Sequence, residues 1–69
     1  MNQEEMVLKY IREHESITTL EAATKLYIMD LQSAIRYLRR KYNITDEWIV
    51  KTNMYGKKVK FKKYRIEEN

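Results

Sequence analysis

Between Tyr42 and Ile44 the apolar residues of this chain change their spacing. Up to Tyr42 they recur with the three-to-four-residue period of helices, and from Asn43 onward they alternate as strands do. A chain of 69 residues has room for one small core. The two halves must therefore pack on each other, as one α+β domain over residues 1–69 with helices first and a short sheet after.

Nothing covalent supplements that core. There is no cysteine, which excludes disulfides and thiolate zinc sites. Six tyrosines, Trp48 and Phe61 supply the bulk instead, and Trp48, Phe61 and Tyr64 are expected to face inward from their strands. No apolar run approaches the roughly 18 residues of a membrane span. The opening "MNQEEMVLKY" is acidic and lacks a cleavage signal, so a cytoplasmic protein without membrane contact is expected.

Residues 3–14 read as a first helix, with Met6, Val7, Leu8, Tyr10, Ile11 and His14 on its apolar arc. His14 has no second histidine or cysteine to join it in binding a metal. Ser16-Ile17-Thr18 has length only for a turn or a brief β-bridge. Thr18-Thr19-Leu20-Glu21 has the form of a capping box, so a second helix is expected over residues 19–26, with Ala22, Ala23 and Leu26 inward. A turn on Tyr27-Ile28-Met29 follows, and Asp30 is a good N-cap for a third helix over residues 30–42. That helix turns Leu31, Ala34, Ile35, Leu38 and Tyr42 to the core and leaves a wet face of Gln32, Ser33, Arg36, Tyr37, Arg39 and Arg40. Two short helices, a tight connection and a longer helix make a helix-turn-helix outline, which a generic three-helix bundle would share.

The second half separates these two. "ITDEWIVKTN" and "VKFKKYRI" alternate around "MYGKK", which holds the only glycine. A β-hairpin over residues 47–66 is expected, with Gly56 taking a positive φ in its turn. Val59 and Phe61 have one parity and Tyr64 and Ile66 the other, which predicts a bulge near Lys62-Lys63. The terminal "EEN" reads as a frayed end. Three helices followed by a two-stranded hairpin is the element order of a winged helix-turn-helix.

The stretches "SITTLEAATKL", "AIRYLRRKYNI" and "EWIVKTNMYGKKVKFKKYRI" resemble the small winged helix-turn-helix domain common in phages and prophages. The resemblance spans residues 7–66, and "TN-x-YGKKV" is its most specific part. The chain departs from the pattern at Ala34, where relatives tend to carry a basic residue, and after the third helix, where they carry a glycine. The resemblance implies a winged-helix fold and DNA binding, without a target sequence.

Charge leads in the same direction. Residues 1–30 carry three basic and six acidic groups, a net −3, while residues 31–66 carry eleven basic and two acidic groups, a net +9. Charge runs usually mean only a solvated surface, but these cations are spread over a helix and a hairpin rather than a tail. In a helix-turn-helix the last helix enters the major groove. Gln32 then suits adenine and Arg36 guanine, with Ser33 small enough for close approach and Tyr37 beside them. Arg39, Arg40 and Lys41 suit phosphates, as do Thr18 and Thr19 at the start of the second helix. Lys57 and Lys58 at the hairpin tip suit the backbone or minor groove. Lys60, Lys62 and Lys63 have no assigned face, and they also protect a strand edge.

Two function classes remain open at this point. One is a double-stranded-DNA-binding phage or prophage protein, either a transcriptional regulator or an accessory factor for recombination or replication. It would be a homodimer if its target is palindromic. The other is a phage module that docks on a host protein and inhibits or redirects it. No nucleophile–base pair, phosphate-cradling glycine loop or metal cluster is visible, so no enzyme activity and no cofactor are expected.

Overall fold

The computed structural model describes residues 1–67. Helix α1 (Gln3–His14), strand β1 (Ile17–Thr18), helices α2 (Thr19–Lys25) and α3 (Leu31–Leu38), and strands β2 (Ile44–Thr52) and β3 (Lys58–Ile66) follow in that order.

Each helix begins where a side chain accepts a backbone N–H. The Asn2 side chain accepts from Glu5 at the start of α1. At α2 both halves of the capping box form: Glu21 N–H donates to Thr18 Oγ1 at 2.9 Å, and Thr18 N–H donates to Glu21 Oε1 at 3.0 Å. Asp30 caps α3. Helix α3 stops at Leu38 rather than continuing to residue 42. After it the N–H groups of Arg40 and Lys41 bond carbonyls three residues back, at 3.2 and 3.0 Å, a tightening common where a helix ends. In the turn between α2 and α3, Tyr27 adopts a left-handed φ of 55°. Ile28 N–H returns to the Ala22 carbonyl at 2.9 Å, which plugs the Ile28 side chain into the core.

The sheet has three strands in the order β1-β3-β2, all antiparallel, rather than the two expected of a hairpin wing. Ser16-Ile17-Thr18 supplies the extra one: Ile17 lies opposite Tyr64 and Thr18 opposite Lys63. Register between β2 and β3 runs unbroken from Ile44↔Ile66 to Thr52↔Lys58, so the expected bulge at Lys62-Lys63 does not form. The change of apolar parity has another cause. At the base, Ile44, Tyr64 and Ile66 face the helices. Farther out, Ile49 and Phe61 are opposite one another on the reverse face, half-buried, where they line a shallow cleft with Leu20 of α2. The hairpin is apolar on different faces along its length, and no slip is needed.

The core consists of Val7, Ile11, Ile17, Ala22, Ile28, Leu31, Ala34, Ile35, Leu38, Ile44 and Tyr64. Of the alanines expected inward, Ala22 is fully buried and Ala23 only half-buried. Of the hairpin, only Ile44 and Tyr64 are buried, and residues 51–60 are all exposed. The short helices cover the base of the hairpin alone. Trp48 is therefore not a core residue: it is 61% exposed, and Phe61 is half-buried on the reverse face. At the C-terminal end Glu67 is held, its N–H donating to the Asn43 carbonyl at 2.8 Å. The rest of the expected frayed end, Glu68 and Asn69, lies outside the described residues.

Truncating a core aliphatic such as Ile35 to alanine should cost about 2–5 kcal/mol, enough to unfold most of a domain this small. Trp48→Ala should cost less than about 1 kcal/mol, because it empties no cavity. Urea denaturation followed by circular dichroism distinguishes the two, and a Trp48 cost as large as that of Ile35 would contradict the exposed placement.

Candidate nucleic-acid interface

The buried stripe of α3 (Leu31, Ala34, Ile35 and Leu38) fixes which of its side chains can meet a ligand. Gln32, Ser33, Arg36 and Tyr37 are exposed, as are Arg39, Arg40 and Lys41 in the turn that follows. Ala34, where the chain departs from the resembled pattern, is 2% exposed and belongs to the core.

These side chains divide between two flanks. On one flank Gln32, Arg36 and Arg39 line a cleft of about 220 Å³ together with Asp46 of β2 and Lys62 and Tyr64 of β3. On the other, Tyr37 and Lys41 line a groove with Glu4, Glu5 and Leu8 of α1. The Lys41 ammonium sits 5.5 Å from the centre of the Tyr37 ring. Cations of the helix and of the hairpin thus share the first flank, whereas the second borders the acidic start of α1.

Asp46 is the carboxylate that joins helix to hairpin. Its Oδ2 accepts from Arg39 Nη2 at 2.6 Å, and its Oδ1 lies 3.5 Å from Lys62 Nζ. The hydrogen bond from Arg39 holds the Asp46 carboxyl below the usual carboxylate range, and the Lys62 charge adds to the effect. Arg39 is therefore engaged within the chain in addition to facing the cleft. Asp30 is lowered as well, first by the hydroxyl of Ser33, which donates to it at 2.5 Å, and then by the Ser33 N–H. The Ser33 hydroxyl thus spends its proton on the helix cap and keeps only lone pairs for a ligand.

Thr18 and Thr19 differ in what they leave available. Thr18 donates its N–H to Glu21 and accepts the Glu21 N–H on its hydroxyl oxygen, which leaves the hydroxyl proton to donate. The Glu21 carboxylate also accepts from Tyr10 Oη at 2.9 Å. Burial and this carboxylate raise the Tyr10 pKa. Thr19 is exposed, with Oγ1 3.5 Å from the Lys62 carbonyl.

The hairpin tip is built around Asn53. Its side-chain oxygen accepts from Tyr55 N–H and from Lys57 N–H, each at 3.0 Å. Gly56 N–H donates to the Asn53 carbonyl at 3.0 Å, with Gly56 at φ 79°, the positive value that glycine adopts without strain. Lys57 and Lys58 project from a fixed loop, and beside them Met54 and Tyr55 are 87% and 85% exposed. Unbroken register separates the remaining lysines. Lys60 and Lys62 share the helix-side face with Trp48, their ammonium groups 5.9 and 5.0 Å from its ring. Lys63 lies on the reverse face with Lys51 and Phe61. Sequence reasoning misses this group, because the expected bulge leaves Lys60 and Lys62 without a face and residue type places Trp48 in the core.

Element order, the α2-turn-α3 geometry and the hairpin beside α3 describe a known architecture, and the winged helix-turn-helix domain family matches residues 2–68. The chain belongs to that family. No curated protein and no solved structure matches it. In a winged helix-turn-helix domain α3 is the recognition helix and the β2–β3 hairpin the wing, and membership suggests DNA binding. No helix among the described residues is long and apolar enough to cross a membrane.

A carboxyl whose folded-state pKa is depressed adds stability above its unfolded pKa and loses it as pH falls through the folded value. Asp46 and Asp30 both act in this direction. Asp46→Asn should therefore lose less stability than the parent on acidification below the ordinary carboxylate range. Urea midpoints across an acid pH series measure this, and identical pH profiles would show that the Arg39–Asp46 pair adds nothing.

Proposed function

We propose that this protein binds double-stranded DNA as a small phage or prophage factor, a transcriptional regulator or an accessory to recombination or replication. The reading rests above all on the cleft in which Gln32 and Arg36 of α3, and Arg39 just after it, meet Lys62 of the wing. A duplex seated on α3 then meets the wing cations without rearrangement of the fold.

The residues take distinct roles in this reading. The N-terminal half of α3 enters the major groove. Gln32 addresses adenine through its amide, and Arg36 addresses guanine O6 and N7 with its two-pronged guanidinium. Arg40 lies beyond the last helical turn, where it reaches phosphate. The Asn53-centred loop holds Lys57 and Lys58 toward the neighbouring backbone, and Thr19 lies close to the wing strand that carries Lys62. Arg39 keeps wing and helix in register through Asp46 while its exposed edge contributes positive potential. The protein acts by binding, with no cofactor and no catalytic step. The rival role, docking on a host protein, would use the same positive surface against an acidic partner.

Fluorescence anisotropy with a labelled random duplex tests the reading. For about six neutralised phosphates, log affinity should fall against log salt with a slope near −5. Arg36→Ala should weaken a selected site by about 1–3 kcal/mol, with a smaller effect on random sequence, while Lys58→Ala should reduce the salt slope by about 1 on either. Absence of duplex binding at about 50 mM salt, together with one stoichiometric host protein in a pull-down, would replace this reading with the rival.

A further inference from the structure

Among the described residues, the outer edge of the wing has no partner strand. Strand β2 is the last strand of the β1-β3-β2 sheet, and its nine residues Ile44–Thr52 run straight, with neither proline nor glycine. Trp48 and Val50 are 61% and 53% exposed on it. A long, regular, partly apolar edge of this kind is a template for another strand unless something blocks it. We infer that β2 pairs antiparallel with β2 of a second copy of this protein, with Ile49 on the two-fold axis, so that the two sheets become one.

Backbone direction limits the registers available. Asn53 N–H donates to the Lys57 carbonyl, and Glu67 N–H donates to the Asn43 carbonyl. Both pairs continue the β2–β3 register, so the odd-numbered residues of β2 direct their N–H and C=O groups toward β3. The even-numbered residues, Ile44, Asp46, Trp48, Val50 and Thr52, direct theirs to the open edge. A second β2 must set even residues against even residues, which excludes every register centred between two residues.

Side chains choose among those that remain. With Ile49 opposite its own copy, Trp48 faces Val50 and Glu47 faces Lys51, and the two-fold repeats each pair. Apolar meets apolar and anion meets cation throughout "EWIVK". Centring on Trp48 instead sets Glu47 against Ile49 and Lys51 against Thr45. Centring on Val50 sets Ile49 against Lys51 and Trp48 against Thr52. Of these three central registers, the one on Ile49 is self-complementary. Glu47 and Lys51 fall at a pair that is not hydrogen-bonded, where opposed side chains approach most closely. Glu47 Oε1 lies 3.9 Å from Arg65 of its own chain at a half-exposed site, a long contact that leaves the carboxylate able to take a second cation. A strand-to-strand contact buries little area, so the association is weak, in the micromolar range or above. Its two-fold axis is perpendicular to the joint sheet, which puts both copies of α3 on the same side.

Sedimentation equilibrium of the full chain without DNA tests the dimer separately from DNA binding. A monomer–dimer equilibrium is expected from micromolar to millimolar protein, with a parallel blue shift in the emission of Trp48, the only tryptophan. Val50→Pro removes an N–H that points outward and should hold the protein monomeric with its circular dichroism unchanged. Glu47→Lys or Lys51→Glu alone should weaken association by about tenfold, and the two together should restore it. A protein that stays monomeric throughout the range would overturn the inference, as would a dimer that survives Val50→Pro or charge reversals that fail to compensate. Either result would leave the DNA-binding reading standing, because the assay contains no DNA.

Discussion

Ile44 and Tyr64 hold the wing to the rest of the protein. They are the only buried residues in two nine-residue strands, and Tyr64 is pinned from the other side by its pairing with Ile17 of β1. Burying one large side chain contributes on the order of 1.5–3 kcal/mol, a substantial share of what keeps so small a domain folded. The position of every cation on the wing relative to α3 follows from this joint. Strand β1 is only two residues long, but it extends the hairpin into a three-stranded sheet.

Electrostatics then refines what packing has placed. Asp46 lies between Arg39 and Lys62 and keeps two like charges from forcing the helix and wing apart. Exposed ion pairs of this kind contribute little to stability. Their effect here is on geometry: the carboxylate bridges the two sides of a cleft whose other charged groups are cationic. A second carboxylate, Asp30, caps α3 and orients Ser33. Positive potential is thus concentrated on the wing side of α3 and opposed on the α1 side by Glu4 and Glu5.

Much of this was legible in the residues. The buried stripe of α3 from Leu31 to Leu38, the capping box at Thr18 and Glu21, and the glycine turn at Gly56 are local patterns with local causes, and each lies where its pattern places it. The errors were long-range. A parity change in the hairpin looks like a bulge when one face is assumed to be buried throughout, but here Ile49 and Phe61 pack on the reverse face while Tyr64 faces the core. Trp48 was assigned to the core on residue type, because a sequence does not record how far the helices extend over the sheet. The end of α3 at Leu38 was equally hidden, since Tyr42 keeps helical spacing and still packs against the core from a turn. Among the site residues, spacing identified the exposed face of α3 but not the division of that face between the wing flank and the α1 flank.

Because the wing is anchored at one end only, it behaves as a lever. From Tyr64 to the tip at Lys58 the strand rises about 20 Å at roughly 3.3 Å per residue. A rocking motion of only about 3° at the Ile44–Tyr64 hinge therefore carries the lysines at the far end through about 1 Å. The loop around Asn53 travels as a rigid unit. On the proposed DNA-binding reading, grooves of slightly different width would be followed by a pivot at the base, with no remodelling of the fingertip itself.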